Sequence, residues 1–366
     1  MTAAPPRGIG RHPHPEGTDR RTPRLRPAVR LGPVSLPYRT RAVVTTTGLA
    51  VAVLVVVVTA AFLGDFPLPA GDVVASLLGH GEQSTDFVVL DLRVARALCA
   101  VAIGAALGAS GAVFQSITRN PLGSPDIIGF TAGSATGAVI AITVLNVTGL
   151  AVAGGALIGG LGTAVLVYLL AAGRRALGYR LILVGIGMNA LLWSVNYYLL
   201  TAARLEDALT AQVWLIGSLN GRSWDQLWPV LLVVLIAVPL LVVLARPLTL
   251  LEMGDDPAAA LGVRGDRVRL AVVVLGVLLA AVAVATAGMI TFVALAAPQL
   301  ARRLTGAASV GVVSSALMGG FVLLSSDLVA QRLFAPIQFP VGVATGAVGG
   351  LYLMWLLLSE WKRGRG

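Results

Sequence analysis

Long apolar segments alternate with short polar ones along almost the whole chain. A helix needs about 20 mainly apolar residues to cross a bilayer, and such segments recur from residue 42 to residue 358. One of them, 289–300, is short. We count it as a span because without it Arg302 and Arg303 would lie on the outer side of the membrane. The pattern therefore predicts an all-α polytopic membrane protein with about ten transmembrane helices. The predicted spans are 42–63, 93–115, 124–146, 151–172, 181–201, 228–244, 270–287, 289–300, 310–333 and 340–358.

Polar residues concentrate at the two ends and in one internal segment. Residues 1–41 are rich in Pro and Arg and have no apolar periodicity, which predicts a disordered basic tail. The first apolar segment is too long for the apolar core of a signal peptide, so it is kept as a helix. A ten-helix domain then occupies 42–358, and 359–366 form a C-terminal tail. Within the domain, 246–269 is the longest polar interruption after the first third of the chain.

The positions of the basic residues predict the orientation. Lys and Arg accumulate on the cytoplasmic side of membrane proteins. With ten spans and a cytoplasmic N-terminus, all Lys and Arg lie on the inner side except Arg93, Arg96, Arg204, Arg222 and Arg332. We therefore predict a plasma (inner) membrane protein with both termini in the cytoplasm. The net charge of +10 then follows membrane topology and does not indicate nucleic acid binding.

The internal segment 246–269 carries signals for short helices. A first predicted helix ends near Glu252, and Gly254 breaks it. Asp256, which is followed by proline, is typical of a helix N-terminus, and Gly262 stands where a left-handed C-terminal residue belongs. Two interpretations stay open, an ordinary connection between spans and a docking element for a soluble partner.

The residues that most kinds of catalysis need are missing. Lys362 is the only lysine, so the chain has no phosphate-binding P-loop. The histidines do not cluster with Cys or carboxylates at metal-ligand spacing, and no nucleophile–base pair stands out. We predict no catalytic residue, no metal site and no cofactor. The sequence therefore indicates a transport subunit and not an enzyme, with energy supplied by a separate subunit.

Asp327, late in the predicted span 310–333, is the only clear candidate for a carboxylate within the membrane. Proton-coupled carriers place such groups along their path, so an ion-coupled secondary transporter remains an alternative. An integral-membrane enzyme would need a polar catalytic cluster, and none is visible. We expect Asp327 to pair with Arg332 near the outer rim, which would make it structural.

Four long motifs carry a resemblance to the FecCD family, the permeases of ABC importers for iron-siderophores and cobalamin. These motifs are RVARALCAVAIGAALGASGAVFQSITRNPLGSPDIIGFTAGSATGAV (93–138), LLEMGDDPAAALGV (250–263), GMITFVALAAPQLARRLTG (288–306) and FPVGVATGAVGGLYLMWLLL (339–358). The resemblance extends over essentially everything from residue 42 onward. Within the family, SLNGRSW (218–224) and LLEMGDD (250–256) are most similar to ferric-enterobactin-type permeases.

The resemblance implies the fold of a type II ABC importer permease, like that of the cobalamin permease. It implies four kinds of partner: a second permease, homologous or identical; two cytoplasmic ABC ATPase subunits; an extracytoplasmic siderophore-binding protein; and the lipid bilayer. The implied cargo is a ferric siderophore, and we expect the catecholate class. Cobalamin and haem remain alternatives.

The same resemblance implies roles for three groups of residues. Asn120, Pro121 and Pro125 are expected to shape a cytoplasmic turn or inner gate. Arg93 and Arg96 are expected to dock the binding protein, with interfacial snorkelling as the alternative. A third family arginine is replaced here by Gln331, and Arg332 stands beside it. The expected ATPase-coupling residues are Leu251, Glu252, Met253, Gly254, Asp255, Asp256, Ala260, Leu261 and Gly262.

Overall fold

The computed structural model describes residues 28–31, 34–37, 40–64, 66–171, 177–307, 309, 311–333 and 339–363. The chain divides into a small unit, residues 1–40, and a large unit, residues 41–366. In the small unit, strands β1 (Ala28–Leu31) and β2 (Val34–Pro37) pair antiparallel. This hairpin falls inside the segment predicted to be a disordered tail. Strand β2 alternates apolar and other residues, a local strand signal that composition alone does not reveal. Residues 1–27 of the predicted tail lie outside the described part of the chain.

The large unit is helical. A π-helical segment, Phe87–Val94, joins α3 to α4 without a break. The helices are α1 (Thr40–Phe62), α2 (Ala70–Leu77), α3 (Gln83–Asp86), α4 (Ala95–Thr118), α5 (Phe130–Thr143), α6 (Leu150–Ala171), α7 (Leu177–Ala202), α8 (Leu205–Ile216), α9 (Trp224–Glu252), α10 (Asp255–Ala260), α11 (Gly265–Ala287), α12 (Val293–Thr305), α13 (Val312–Leu333) and α14 (Val341–Arg363).

Each of the ten predicted spans overlaps one of these helices, and the predicted fold class is confirmed. Within the described residues, seven helices are long and apolar enough to cross a membrane, and α5 and α14 add shorter apolar ones. Helix α5 begins later than predicted because the chain turns through Gly129, which has a φ of 86°. Helix α12 is short, as the sequence indicated.

Side-chain contacts join the helix ends that an alternating ten-span topology places on the same side. At one end, Arg41 donates from Nε to the Leu304 carbonyl (2.9 Å), and the Arg303 guanidinium lies 4.9 Å from the centre of the Trp355 ring. At the other end, Arg332 donates to the Gly64 carbonyl (3.0 Å). The assignment of the first end to the cytoplasm stays a prediction.

Helix α4 forms the centre of the bundle and packs against α9, α11, α12 and α13. Its contact with α13 depends on glycine, because a Cβ atom on Gly104 would overlap the Gly319 carbonyl and one on Gly108 would overlap the Ser315 carbonyl. Gly155 and Gly159 allow the same close approach between α6 and α5. Small residues at four-residue spacing thus bring helix backbones together.

Candidate functional site

The segment 246–269, which we call the coupling element, is shaped differently from its prediction. The first of its two predicted short helices does not exist as a separate unit. Helix α9 begins at Trp224 and runs through to Glu252, although it contains Pro229, Pro239 and Pro247. Only α10 is an independent short helix. Helix α10 therefore follows directly after the end of a long helix.

Glycines set both ends of α10. Gly254 precedes the helix with a φ of 132°, so the predicted N-cap at Asp256 is wrong and Asp256 lies in the first turn. Gly262 has a φ of 80°, which confirms its predicted left-handed conformation. The acidic first turn, Asp255 and Asp256, sits favourably at the positive end of a helix.

The coupling element presents apolar side chains to the outside. Met253 is 71% exposed and Leu261 is 66% exposed, on either side of α10. Leu251 and Ala258 face inward and are buried, which fixes the element on the bundle. Ala260 and Gly262 are exposed, and Glu252 is half-buried. Apolar residues exposed together beside charged ones are typical of a protein-docking surface.

Asp255 connects α10 to two other helices. Its Oδ1 accepts a hydrogen bond from Arg269 of α11 and lies 3.2 Å from Nη2 of Arg119, the residue that ends α4. Arg119 also donates to the Leu251 carbonyl. The hydrogen bond from Arg269, together with the charges of both arginines, holds the pKa of the Asp255 carboxyl below its ordinary value of 3.8.

The predicted turn residues follow Arg119 directly. Arg119 itself has a φ of 51°, a left-handed conformation that stops α4. The Asn120 side-chain oxygen accepts the Leu122 amide (2.9 Å), and the Pro121 carbonyl accepts Nε2 of Gln299 in α12 (2.7 Å). The carbonyl of Pro125 accepts the amide of Phe130, the first residue of α5. Asn120, Pro121 and Pro125 thus form a turn tied to both α10 and α12, while their role as a gate stays a prediction.

At the opposite end of the bundle, Asp327 pairs with Arg96. Nε of Arg96 donates to Oδ2 (2.9 Å) and Nη2 donates to Oδ1 (2.8 Å), and Gln331 donates to Oδ2 (2.7 Å). The carboxylate is fully buried. The predicted pairing with Arg332 is therefore wrong. Arg332 is five residues after Asp327, which places it roughly 140° further around the helix axis. It therefore does not lie on the face where Asp327 contacts α4.

The other predicted docking arginines are also engaged within the chain. Arg93 is 9% exposed and donates to the carbonyls of Ala61 and Phe66. Arg93, Arg96, Arg222 and Asp327 line one cavity of about 230 Å³. Arg332 lies at the rim of this end. The docking of a partner by these residues stays a prediction.

Two residues of these sites had no signal in the sequence. Arg269 is one of the basic residues on the predicted inner side, and no sequence motif singles out Gln299. Both act through partners more than ten residues away, and spacing in a single sequence does not reveal such contacts. Their hydrogen bonds to Asp255 and Pro121 give each a positioning role.

Comparison with known proteins gives consistent matches over most of the chain. The sequence model of the FecCD transport family matches residues 52–359. The ferric enterobactin transport system permease protein FepG of Escherichia coli (strain K12) is 46% identical over 303 residues, covering 82% of this chain and 91% of that protein. The hemin transport system permease protein HmuU of Yersinia pestis is 34% identical, covering 74% of this chain and 83% of that protein.

A solved structure agrees with these matches. It is titled as an inward-facing conformation of a metal-chelate type ABC transporter, and it superposes with a TM-score of 0.78 at 28% sequence identity. The match covers 86% of this chain and 98% of that one. The match to the family sequence model includes the coupling element and the polar cavity at the opposite end, and the structural match covers a similar share of the chain.

Proposed function

Because this chain belongs to the FecCD transport family, we propose that it is the membrane-spanning permease subunit of an ABC importer for ferric siderophores of the catecholate class. Members of this family are transport subunits and are not themselves enzymes. In the importer, ATP is hydrolysed by a partner ATPase, and the cargo arrives on a substrate-binding protein. The permease lies in the inner membrane.

The observation that carries the choice of cargo is the identity to FepG. This identity, 46%, clearly exceeds the 34% shared with the hemin permease HmuU. A catecholate complex of Fe³⁺ is anionic, and the cavity lined by Arg93, Arg96 and Arg222 contains one carboxylate, Asp327. The lining of that cavity is thus basic on balance, which supports the binding of an anionic group there, on the cargo or on its carrier.

In this proposal the coupling element is the ATPase-docking surface. Met253 and Leu261 supply exposed apolar contacts, and Asp256 lies beside them on the exposed first turn of α10. A rigid-body movement of the ATPase would displace α10 and, through Asp255, the ends of α4 and α11. Two-state movements of packed helices are a common way to open and close transport paths.

The turn after α4 is where such a movement would reach the inner gate. Arg119 links it to α10, and the bond from Gln299 to Pro121 links it to α12. We propose that Asn120, Pro121 and Pro125 form part of this gate. Both termini are cytoplasmic in this arrangement, and a second permease, identical or homologous, completes the pathway.

At the outer end, we propose that Arg93, Arg96 and Arg332 receive acidic residues of the binding protein. Arg96 forms an ion pair with Asp327, so docking of an acidic residue of the binding protein would compete with this pair. Contacts of this kind mainly increase the association rate and fix orientation.

The proposal is tested by iron uptake in cells from which this gene is deleted. We expect the deletion strain to lose uptake of radiolabelled iron supplied as a ferric catecholate and to regain it with the intact gene. Uptake of ferric hydroxamates in the same strain is the matched control and should be unchanged. A defect restricted to uptake of haem or cobalamin would agree with the family but contradict the proposed catecholate cargo. No uptake defect for any of these compounds would contradict the import role.

A further inference from the structure

A second cavity, of about 630 Å³, opens between α5, α6, α8, α9 and α11. Its volume is within the range of roughly 300–1,000 Å³ that is usual for small-molecule sites. Its deeper wall is apolar and includes Ile142, Val152, Leu157 and Val282. The transport account above shares only Arg222 with this cavity, since that residue also lines the cavity beside Asp327. The coupling element and the inner turn lie at the other end of the bundle.

The shape of this cavity follows the helices into the membrane. Along α6 its lining reaches from Leu150 to Leu157, a depth of about 10 Å at the helical rise per residue. Leu150, at the mouth, is 77% exposed, so the cavity is open at this end. Trp214 of α8 forms part of the wall, and tryptophan is enriched at the level of lipid headgroups. The cavity therefore begins near the membrane surface and extends into the apolar layer.

The mouth carries charges of both signs. Arg222, in the connection between α8 and α9, lines it together with Asp207 and Asp225. Arg222 is half-buried, and burial lowers the pKa of its guanidinium. Its described hydrogen bond is a long one, from Nε to the Ser218 carbonyl (3.5 Å), and it forms no ion pair with a carboxylate in the described part of the chain. A partly desolvated charge without a counter-ion is costly, which favours an anionic ligand at this point.

We propose that this cavity binds a phospholipid with a zwitterionic headgroup. The phosphate lies on Arg222, the headgroup ammonium lies towards Asp207 and Asp225, and an acyl chain follows the apolar wall along α6. A headgroup with a single negative charge matches this mouth less well. The part of that headgroup beyond its phosphate would face two carboxylates and would carry no positive charge. Free phosphate would leave the apolar inner wall of the cavity without a bound group.

The decisive test fills the cavity without disturbing the helices. Gly154 of α6 lines the cavity, and a Cβ atom built there meets nothing within 4 Å. Gly154→Leu is therefore expected to occupy the space of the acyl chain. Gly162, on the same helix, has equally open surroundings but does not line the cavity, so Gly162→Leu is the matched control.

Native mass spectrometry of the purified permease complex, reconstituted in phosphatidylethanolamine, gives the readout. We expect the wild-type protein and the Gly162→Leu variant to retain a bound phospholipid after detergent exchange and the Gly154→Leu variant to lose it. Equal retention by Gly154→Leu and wild type, or no retention by wild type, would overturn the proposal.

The headgroup is tested separately with mixed vesicles of phosphatidylethanolamine and phosphatidylglycerol. Retention by the wild type should favour phosphatidylethanolamine, and Arg222→Gln should weaken retention of both lipids. The Asp207→Asn/Asp225→Asn variant should shift the preference towards phosphatidylglycerol. A preference of the wild type for phosphatidylglycerol, or displacement of the lipid by a ferric catecholate, would refute the assignment.

Discussion

At the scale of single residues, Asp327 shows what a sequence can and cannot predict. Its position inside an apolar span marks it as a residue that needs a partner, because unpaired charge is costly in a membrane. Its actual partner, Arg96, lies more than two hundred residues away in the sequence. Such a pair depends on the packing of α4 against α13, which a single sequence does not specify. Both carboxylate oxygens are occupied, so the residue acts as a structural group.

This structural role predicts the effect of removing the carboxylate. Asp327→Ala leaves the partly buried Arg96 guanidinium without its counter-ion, and we expect the free energy of unfolding to fall by about 3–5 kcal/mol. The Arg96→Met/Asp327→Leu double variant should recover most of that loss because no charge is left uncompensated. Denaturant unfolding of the purified protein measures both variants.

Asp266→Ala is the control, since Asp266 is an exposed carboxylate in the first turn of α11. An Asp327→Ala protein that folds as stably as wild type, yet no longer transports, would point instead to proton coupling through Asp327.

At the scale of elements, local signals predicted the glycines of the coupling element better than its helices. Gly262 has the predicted left-handed backbone, and Gly254 does separate two helices. The predicted end of the sixth span at residue 244 is wrong, because α9 continues to Glu252. Pro247 and the polar residues around it give a local signal for a helix boundary. A long helix can tolerate proline where neighbouring groups satisfy the backbone.

The link from α10 to α4 predicts a separation between stability and coupling. Asp255→Asn weakens contacts to Arg119 and Arg269 that are partly exposed, so the free energy of unfolding should change by only about 0–1 kcal/mol. The ATPase activity of the assembled importer, stimulated by cargo-loaded binding protein, should fall several-fold. The pKa of Asp255 is lowered from its ordinary value of 3.8, so the carboxylate is ionised near neutral pH. The loss of stimulated ATPase activity should therefore not depend on pH near neutrality.

The matched control is Asp266→Asn, which removes a carboxylate from the neighbouring exposed turn. It should leave stimulation near the wild-type level. If Asp255→Asn and Asp266→Asn behave alike, the Asp255 contacts carry no coupling.

At the scale of the whole molecule, the apolar pattern predicted ten helices and the pairs of helix ends that lie together. The contacts between α1 and α12, and between α1 and α13, agree with alternation of the spans across the membrane. The sequence could not indicate that α4 would become the centre of the bundle. Hydropathy measures how apolar a helix is and does not distinguish lipid contacts from contacts with other helices.

The central claim is that this permease imports a ferric catecholate using energy from a separate ATPase. It is tested most directly by uptake into proteoliposomes that contain the permease with its partner permease and ATPase, supplied with binding protein and radiolabelled ferric catecholate. We predict accumulation that requires ATP on the ATPase side, is lost without the binding protein and does not respond to a proton gradient. Accumulation driven by a proton gradient in the absence of ATP would contradict the account.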